Sequence, residues 1–141
     1  MKLPSVRLLL LCAVSGCATP YLLRPGDVAP LTASVAQDQR AVVWQRAIGA
    51  LLDMGYIPQV LNEAACYISA KQRDDVTDGQ LAGTIAIVNV SPEGQVRVEV
   101  GGAGVYHSAD ELARDVKTVE HNIMQAILAR SAPPAAAVPS S

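Results

Sequence analysis

The stretch Gln95-Val96-Arg97-Val98-Glu99-Val100 alternates polar and β-branched apolar residues without a break. Successive side chains of a strand point to opposite faces, so this segment demands a sheet with one dry face and one wet face. A helix cannot satisfy a period of two, and a strand buried on both faces would not carry Arg97 and Glu99. Ser91-Pro92-Glu93-Gly94 precedes it, with Pro and Gly at the second and fourth positions of a β-turn. Residues 81–90 before that turn are apolar on both sides, as a central strand would be, and the two segments read as an antiparallel hairpin. A third alternation sets Ala64, Cys66, Ile68 and Ala70 against Ala65, Tyr67, Ser69 and Lys71. It predicts a strand ahead of the polar run 71–78.

Helical periodicity flanks these strands. Val43, Ala47, Ile48, Leu51 and Leu52 recur at three- and four-residue spacing, with Ser34 or Asp38 as the expected N-cap and Gly55 as the stop. Gly55-Tyr56-Ile57-Pro58 then reads as a turn. Ser108-Ala109-Asp110-Glu111 matches a capping box, and Leu112, Val116, Val119, Ile123 and Ile127 continue it as one apolar stripe. Asp115, Lys117, Glu120 and Gln125 are assigned to the wet side. Gly101, Gly102 and Gly104 predict a bulge or a sharp exit from the sheet. The expected fold is α+β, in the order α-β-β-β-α: a three-stranded antiparallel sheet with two helices packed on one face, in two layers.

The chain has 141 residues, half of them hydrophobic, which suits one domain, assigned here to residues 37–130. Residues 18–36 contain Pro20, Pro25, Gly26 and Pro30 and read as a flexible tether with a short extended segment near 31–35. Such a tether of about 20 residues spans roughly 25 Å. Residues 131–141 consist of Ala, Pro, Ser and Val and are expected to be a disordered tail.

The first residues read as an address. Lys2 and Arg7 precede a short apolar run from Leu8 to Val14, too short for a permanent span and suited to a secretory signal over residues 1–16. The run ends in Val14-Ser15-Gly16-Cys17, which resembles the lipobox of bacterial lipoproteins: an aliphatic residue, two small residues and a cysteine. That resemblance implies cleavage between Gly16 and Cys17, a diacylglycerol on the Cys17 thiol and an acyl chain on its new amino group. No other cofactor is expected. Several acyl chains hold a protein to a membrane far more firmly than one. By the same resemblance, Ala18 in place of an aspartate points to the outer membrane, facing the periplasm. Loss of Lys2 and Arg7 makes the remaining chain more acidic, so attachment rests on the lipid and not on a basic face.

A net charge of −2 and 4% aromatic content disfavour a nucleic-acid partner. Cys12 leaves with the signal and Cys17 is acylated, so Cys66 stands alone, either as a small core residue or as a reactive thiol. His107 and His121 lack the four-residue spacing of a metal pair, and Asp74, Asp75 and Asp78 lack the ligand order of a calcium loop. No metal is expected. The glycines at 101–104 lack the Lys-Ser/Thr of a phosphate loop. Without a nucleophile, base and orienting group in sequence, the chain is not expected to be an enzyme.

Ala47, Leu51-Leu52-Asp53-Met54-Gly55-Tyr56 and then Ile68-Ser69-Ala70-Lys71-Gln72-Arg73-Asp74 resemble a pattern in small, mostly uncharacterised proteobacterial lipoproteins. The chain departs from it at Ala65-Cys66, where those proteins favour a glycine, and Lys71 sits one residue closer to its alanine. The helix-and-sheet order is also similar to accessory lipoproteins of outer-membrane assembly machines. Lys71 and Arg73 beside Asp74 and Asp75 read as a solvated strand end or a docking site. The functional expectation is a membrane-anchored, non-catalytic interaction module for another envelope protein, with contact residues among Trp44, Tyr56, Arg97 and Tyr106. In this reading the Val96–Val100 strand is an outer one, open to a partner strand. The alternative is a periplasmic small-ligand carrier or sensor with a pocket near Trp44, Tyr56 and Cys66.

Overall fold

The computed structural model describes residues 18–76 and 80–131. The signal segment, Gly16, Cys17, the tail beyond residue 131 and Asp78 lie outside these. The described elements are β1 (Thr19–Leu23), β2 (Leu31–Ser34), a short 3-10 turn (Gln37–Gln39), α1 (Arg40–Asp53), β3 (Tyr56–Asn62), β4 (Tyr67–Gln72), β5 (Ala82–Val90), β6 (Gln95–Tyr106) and α2 (Ala109–Ser131).

The sheet is antiparallel and has six strands, not three. Its order is β1-β6-β5-β4-β3, with β2 pairing to the same edge of β6 as β1. The central hairpin forms as its turn dictates: the Ser91 N–H donates to the Gln95 carbonyl at 2.9 Å, and Gly94 takes a φ of +86°. The three additional strands come from segments that composition reads as tether or turn. β1 and β2 lie within residues 18–36, where Pro20 is tolerated because β1 hydrogen-bonds on one side only. β2 coincides with the short extended segment expected near 31–35. β3 occupies the supposed turn after Gly55, and its register shifts between Pro58 and Val60, a bulge at an edge that also holds a proline.

Away from the bulges in β3 and β5, one parity of side chains in each strand faces the helices. Ile68, Val88 and Val98 share a row with Leu31, and Ala70, Ala86 and Val100 form the next. All of these are fully buried except Leu31, which packs against the core from the edge. α1 lies over β3, β4 and β5, and α2 lies over β6, β1 and β2, while the helices also touch each other. The two-layer arrangement with both helices on one face therefore holds for the larger sheet. Val43, Ala47 and Leu51 of α1 are buried, as are Leu112, Val116, Val119, Ile123 and Ile127 of α2.

Helix ends follow the sequence in part. Gly55 stops α1 at φ +84°, in the left-handed region a glycine enters freely. Neither Ser34 nor Asp38 caps α1: the 3-10 turn intervenes, and Gln39 at the N-cap position makes no side-chain cap bond. The capping box of α2 closes with a one-residue shift. Glu111 N–H donates to Ser108 Oγ at 3.2 Å, and the Glu111 carboxylate accepts from His107 N–H at 3.1 Å.

The glycine run is not a sheet exit, because β6 continues through it to Tyr106. A bulge is present opposite it, on β5, where the register slips between Ala82 and Ile85 and Gly83 takes a φ of +59°. The strand needs glycine at 101 for close approach: a Cβ there would lie 2.6 Å from the Leu23 carbonyl oxygen and from Pro25 N.

Candidate functional site

The outer face of the sheet is left uncovered by the helices, and its surface changes character along the strands. At the end where β1 begins, Pro20 stands beside Val105 and Leu22 beside Ala103. The next row runs Ile57, Lys71, Ile85 and Gly101, where Leu23 and Pro25 lie over the buried glycine. Leu22 is 68% exposed, Val105 56%, Ile57 49% and Ile85 39%. Toward the other end the face turns polar, with Asn89 beside Arg97 and Arg97 beside Thr32. Arg97 pairs with Glu99 at 2.6 Å on this face. The parity that builds the dry side of each strand places these residues outward together.

Strand placement corrects one expectation. The segment Val96–Val100 is not an outer strand: β5 pairs with one side of it, and β2 holds the other from Ser34↔Gln95 to Leu31↔Val98. A partner strand cannot add there. Of the expected contact residues only Arg97 presents its side chain to solvent. Trp44 is 4% exposed and donates through Nε1 to the Tyr67 carbonyl at 3.4 Å, sealing the core edge. Tyr56 is 1% exposed. Tyr106 is buried and its hydroxyl donates to Asp115 Oδ2 at 2.7 Å. Burial, followed by this carboxylate, pushes the Tyr106 phenol well above its ordinary value.

The structure does not assemble the pocket imagined near Trp44, Tyr56 and Cys66. Tyr56 pairs with Gln72 at one end of the β3–β4 hairpin, whereas Cys66 precedes Tyr67 at the other. Cys66 belongs to the turn rather than to β4, with a φ of +47°, and its thiol is a buried core group that donates to the Glu63 carbonyl at 3.4 Å.

Two surface clefts lie at the end of the sheet where β1 starts. One, of about 410 Å³, is lined by Ile57, Gln59 and residues 71–75. Its charges pair among themselves: Arg73 donates to Asp75, through Nε at 2.9 Å, and Lys71 meets Asp74 at 3.7 Å. The Asp75 contact raises the Arg73 pKa, and the Arg73 hydrogen bond lowers that of Asp75. With both pairs solvent-exposed, this is a solvated strand end. The other cleft, of about 420 Å³, is bounded by Gln80, Tyr106, Glu111, Arg114 and Asp115. His107 and His121 are exposed. Among the described residues no group of three or more His, Cys, Asp and Glu side chains is placed to hold a metal ion.

Two polar residues assigned to solvent are buried instead: Gln72, within the polar run 71–78, and Glu120. Glu120, assigned to the wet side of α2, is fully buried. Its Oε1 accepts from the Val100 N–H at 3.3 Å, at the stretch of β6 between the segments paired by β1 and β2. Its Oε2 meets Lys117 Nζ at 3.0 Å, and Lys117 also donates to the Ala29 carbonyl. The signal was available, since Glu120 stands four residues after Val116 on the apolar stripe.

No helix among the described residues is long and apolar enough to cross a membrane. The chain matches no family model and no curated protein sequence.

Proposed function

We propose that the chain is a lipoprotein held by acyl chains on Cys17 at the periplasmic face of the outer membrane, where its domain serves as a non-catalytic interaction or accessory module for another envelope protein. The observation that carries this reading is Val14-Ser15-Gly16-Cys17 directly after a basic and then apolar leader. The uncovered sheet face supports the second half of it. A domain that leaves one face of a six-stranded sheet without helices, and keeps Arg97, Asn89 and Thr32 together on its polar part, has a broad surface for a partner. The edge strand β3 is poorly suited to strand addition because Pro58 and the bulge interrupt its ladder.

The test is metabolic labelling with a fatty acid of the native chain and Cys17→Ala, followed by membrane fractionation and cross-linking from a photoreactive residue at position 97. Label on the native chain alone, in the outer-membrane fraction, with a discrete cross-linked protein, is the expected result. An unlabelled chain free in the periplasm removes the anchor. A labelled chain without any cross-linked species removes the partner role at this face.

A further inference from the structure

The apolar half of the uncovered face lies at the end of the sheet where the chain enters it. β1 starts at Thr19, two residues after Cys17, and two trans peptide units span at most about 7.6 Å. The long tether suggested by composition is therefore absent, because residues 19–23 and 31–34 are bound to β6. Whatever is bonded to Cys17 is therefore within covalent reach of the end of the sheet where Thr19 pairs with Tyr106 and Pro20 with Val105. Contiguous exposed aliphatic side chains on a folded domain mark a surface that meets something apolar. Lys71 stands within these rows beside the exposed Arg73, Asp74 and Asp75; its long stem can lie along the apolar side chains, and its ammonium, held only by a solvent-exposed pair with Asp74, can exchange that partner for a phosphate.

On the reading that Cys17 is lipidated, we infer that this half of the sheet face rests on the lipid surface. Leu22, Val105, Ile85 and Ile57 meet the acyl boundary, and Lys71 meets the headgroups. The acyl chains and the apolar half of the sheet face then act as two membrane contacts, and the polar half with Arg97 and Asn89 lies at the end of the face farther from the point of attachment. The orientation follows from covalent reach and from the position of the apolar rows. A freely tethered domain would have neither constraint.

The experiment uses the full lipidated chain, purified from membranes and reconstituted in phosphatidylethanolamine–phosphatidylglycerol vesicles. Leu22→Cys, Val105→Cys and Thr32→Cys are each labelled with an environment-sensitive fluorophore. Cys66 is buried and the Cys17 thiol carries lipid, so the label is confined to the chosen position. Positions 22, 105 and 32 are exposed, so these substitutions leave the core intact. Acyl chains brominated near the headgroup are expected to quench probes at 22 and 105 severalfold more than the probe at 32. Equal, weak quenching at all three positions on vesicle-bound protein overturns the inference. So do probes at 22 and 105 that are shielded from aqueous iodide yet unquenched by the brominated lipid, which assign the face to a protein partner or a second copy. Mass spectrometry of the N-terminal peptide from the same sample separates the two levels. A lipid on Cys17 with unquenched probes defeats only the docking of the face, and an unmodified Cys17 defeats the lipoprotein reading beneath it.

Discussion

Glu120 is the residue on which the break between β1 and β2 depends, and its replacement tests that account. Glu120→Ala strands the Val100 N–H, a buried backbone donor, at a cost of about 1–3 kcal/mol. Removing the one buried methylene lost with the carboxylate adds roughly 0.8 kcal/mol. The half-exposed Lys117 contributes only about 0–1 kcal/mol to its pair, and release of a desolvated carboxylate returns part of the loss. The expected net destabilisation is about 1–3 kcal/mol. Glu120→Gln keeps an oxygen acceptor for Val100 and removes the buried charge, so it should stay within about 1 kcal/mol of the native chain or exceed it at neutral pH. The two differ in pH dependence. Burial is the largest influence on the Glu120 carboxyl and raises its pKa above the ordinary value, with Lys117 and the Val100 N–H opposing. The folded state thus keeps this proton to higher pH than the unfolded chain. The contribution is fully present below the unfolded carboxyl value and is lost as pH rises through the folded one. Stability of the native chain relative to Glu120→Gln should therefore decline across that window and level off above it. Urea unfolding followed by Trp44 fluorescence, at stepped pH for all three proteins, reads both effects. Equal stability of the Ala and Gln variants would refute the capping role, and a pH-independent difference between native chain and Gln would refute the buried-charge argument.

Three further outcomes follow from the same geometry. Gly101→Ala places a Cβ against the Leu23 carbonyl and Pro25, and forcing them apart should cost about 1–3 kcal/mol in urea unfolding, with amide exchange rising in β1 before β4. Tyr106→Phe removes the hydroxyl that donates to Asp115 and should cost about 1–2 kcal/mol. Spectrophotometric titration should show a phenol ionising well above its ordinary value in the native chain and missing from the Phe variant. Cys66 should react with aqueous thiol reagents only as fast as the domain opens, so reaction at the rate of an exposed thiol in native buffer would contradict its burial.

Legibility in the sequence followed the strength of local periodicity. The Gln95–Val100 alternation, the turn at Gly94, the Gly55 stop and the Leu112–Ile127 stripe all predict what forms, because each is enforced by adjacent residues. β1 and β3 were hidden by Pro20 and Pro58, and β2 was legible only as a short extended segment within a tether. Proline argues against a central strand, but at an edge only one side of the backbone has to pair. Tyr106 and Trp44 read as contact residues because an aromatic ring suits a surface or a core equally well. Their burial is decided by Asp115 and by the Tyr67 carbonyl, groups from other elements. Of the candidate surface, Arg97 could be anticipated from strand parity, but Leu22 and Val105 could not, since their pairing with neighbouring strands joins distant parts of the chain.

Side-chain order along the chain thus decides that β4, β5, β6 and the two helices exist and which face of each is dry, since periods of two and 3.6 are local properties of the backbone. Tertiary structure alone decides that the tether is two strands, that these cover the edge of β6 except at residues 99–101, and that Glu120 goes inside to satisfy Val100 in that gap. Those outcomes depend on which hydrogen-bonding edges remain unpaired once the whole sheet has formed, and an unpaired edge is a property of the assembled layers rather than of any segment.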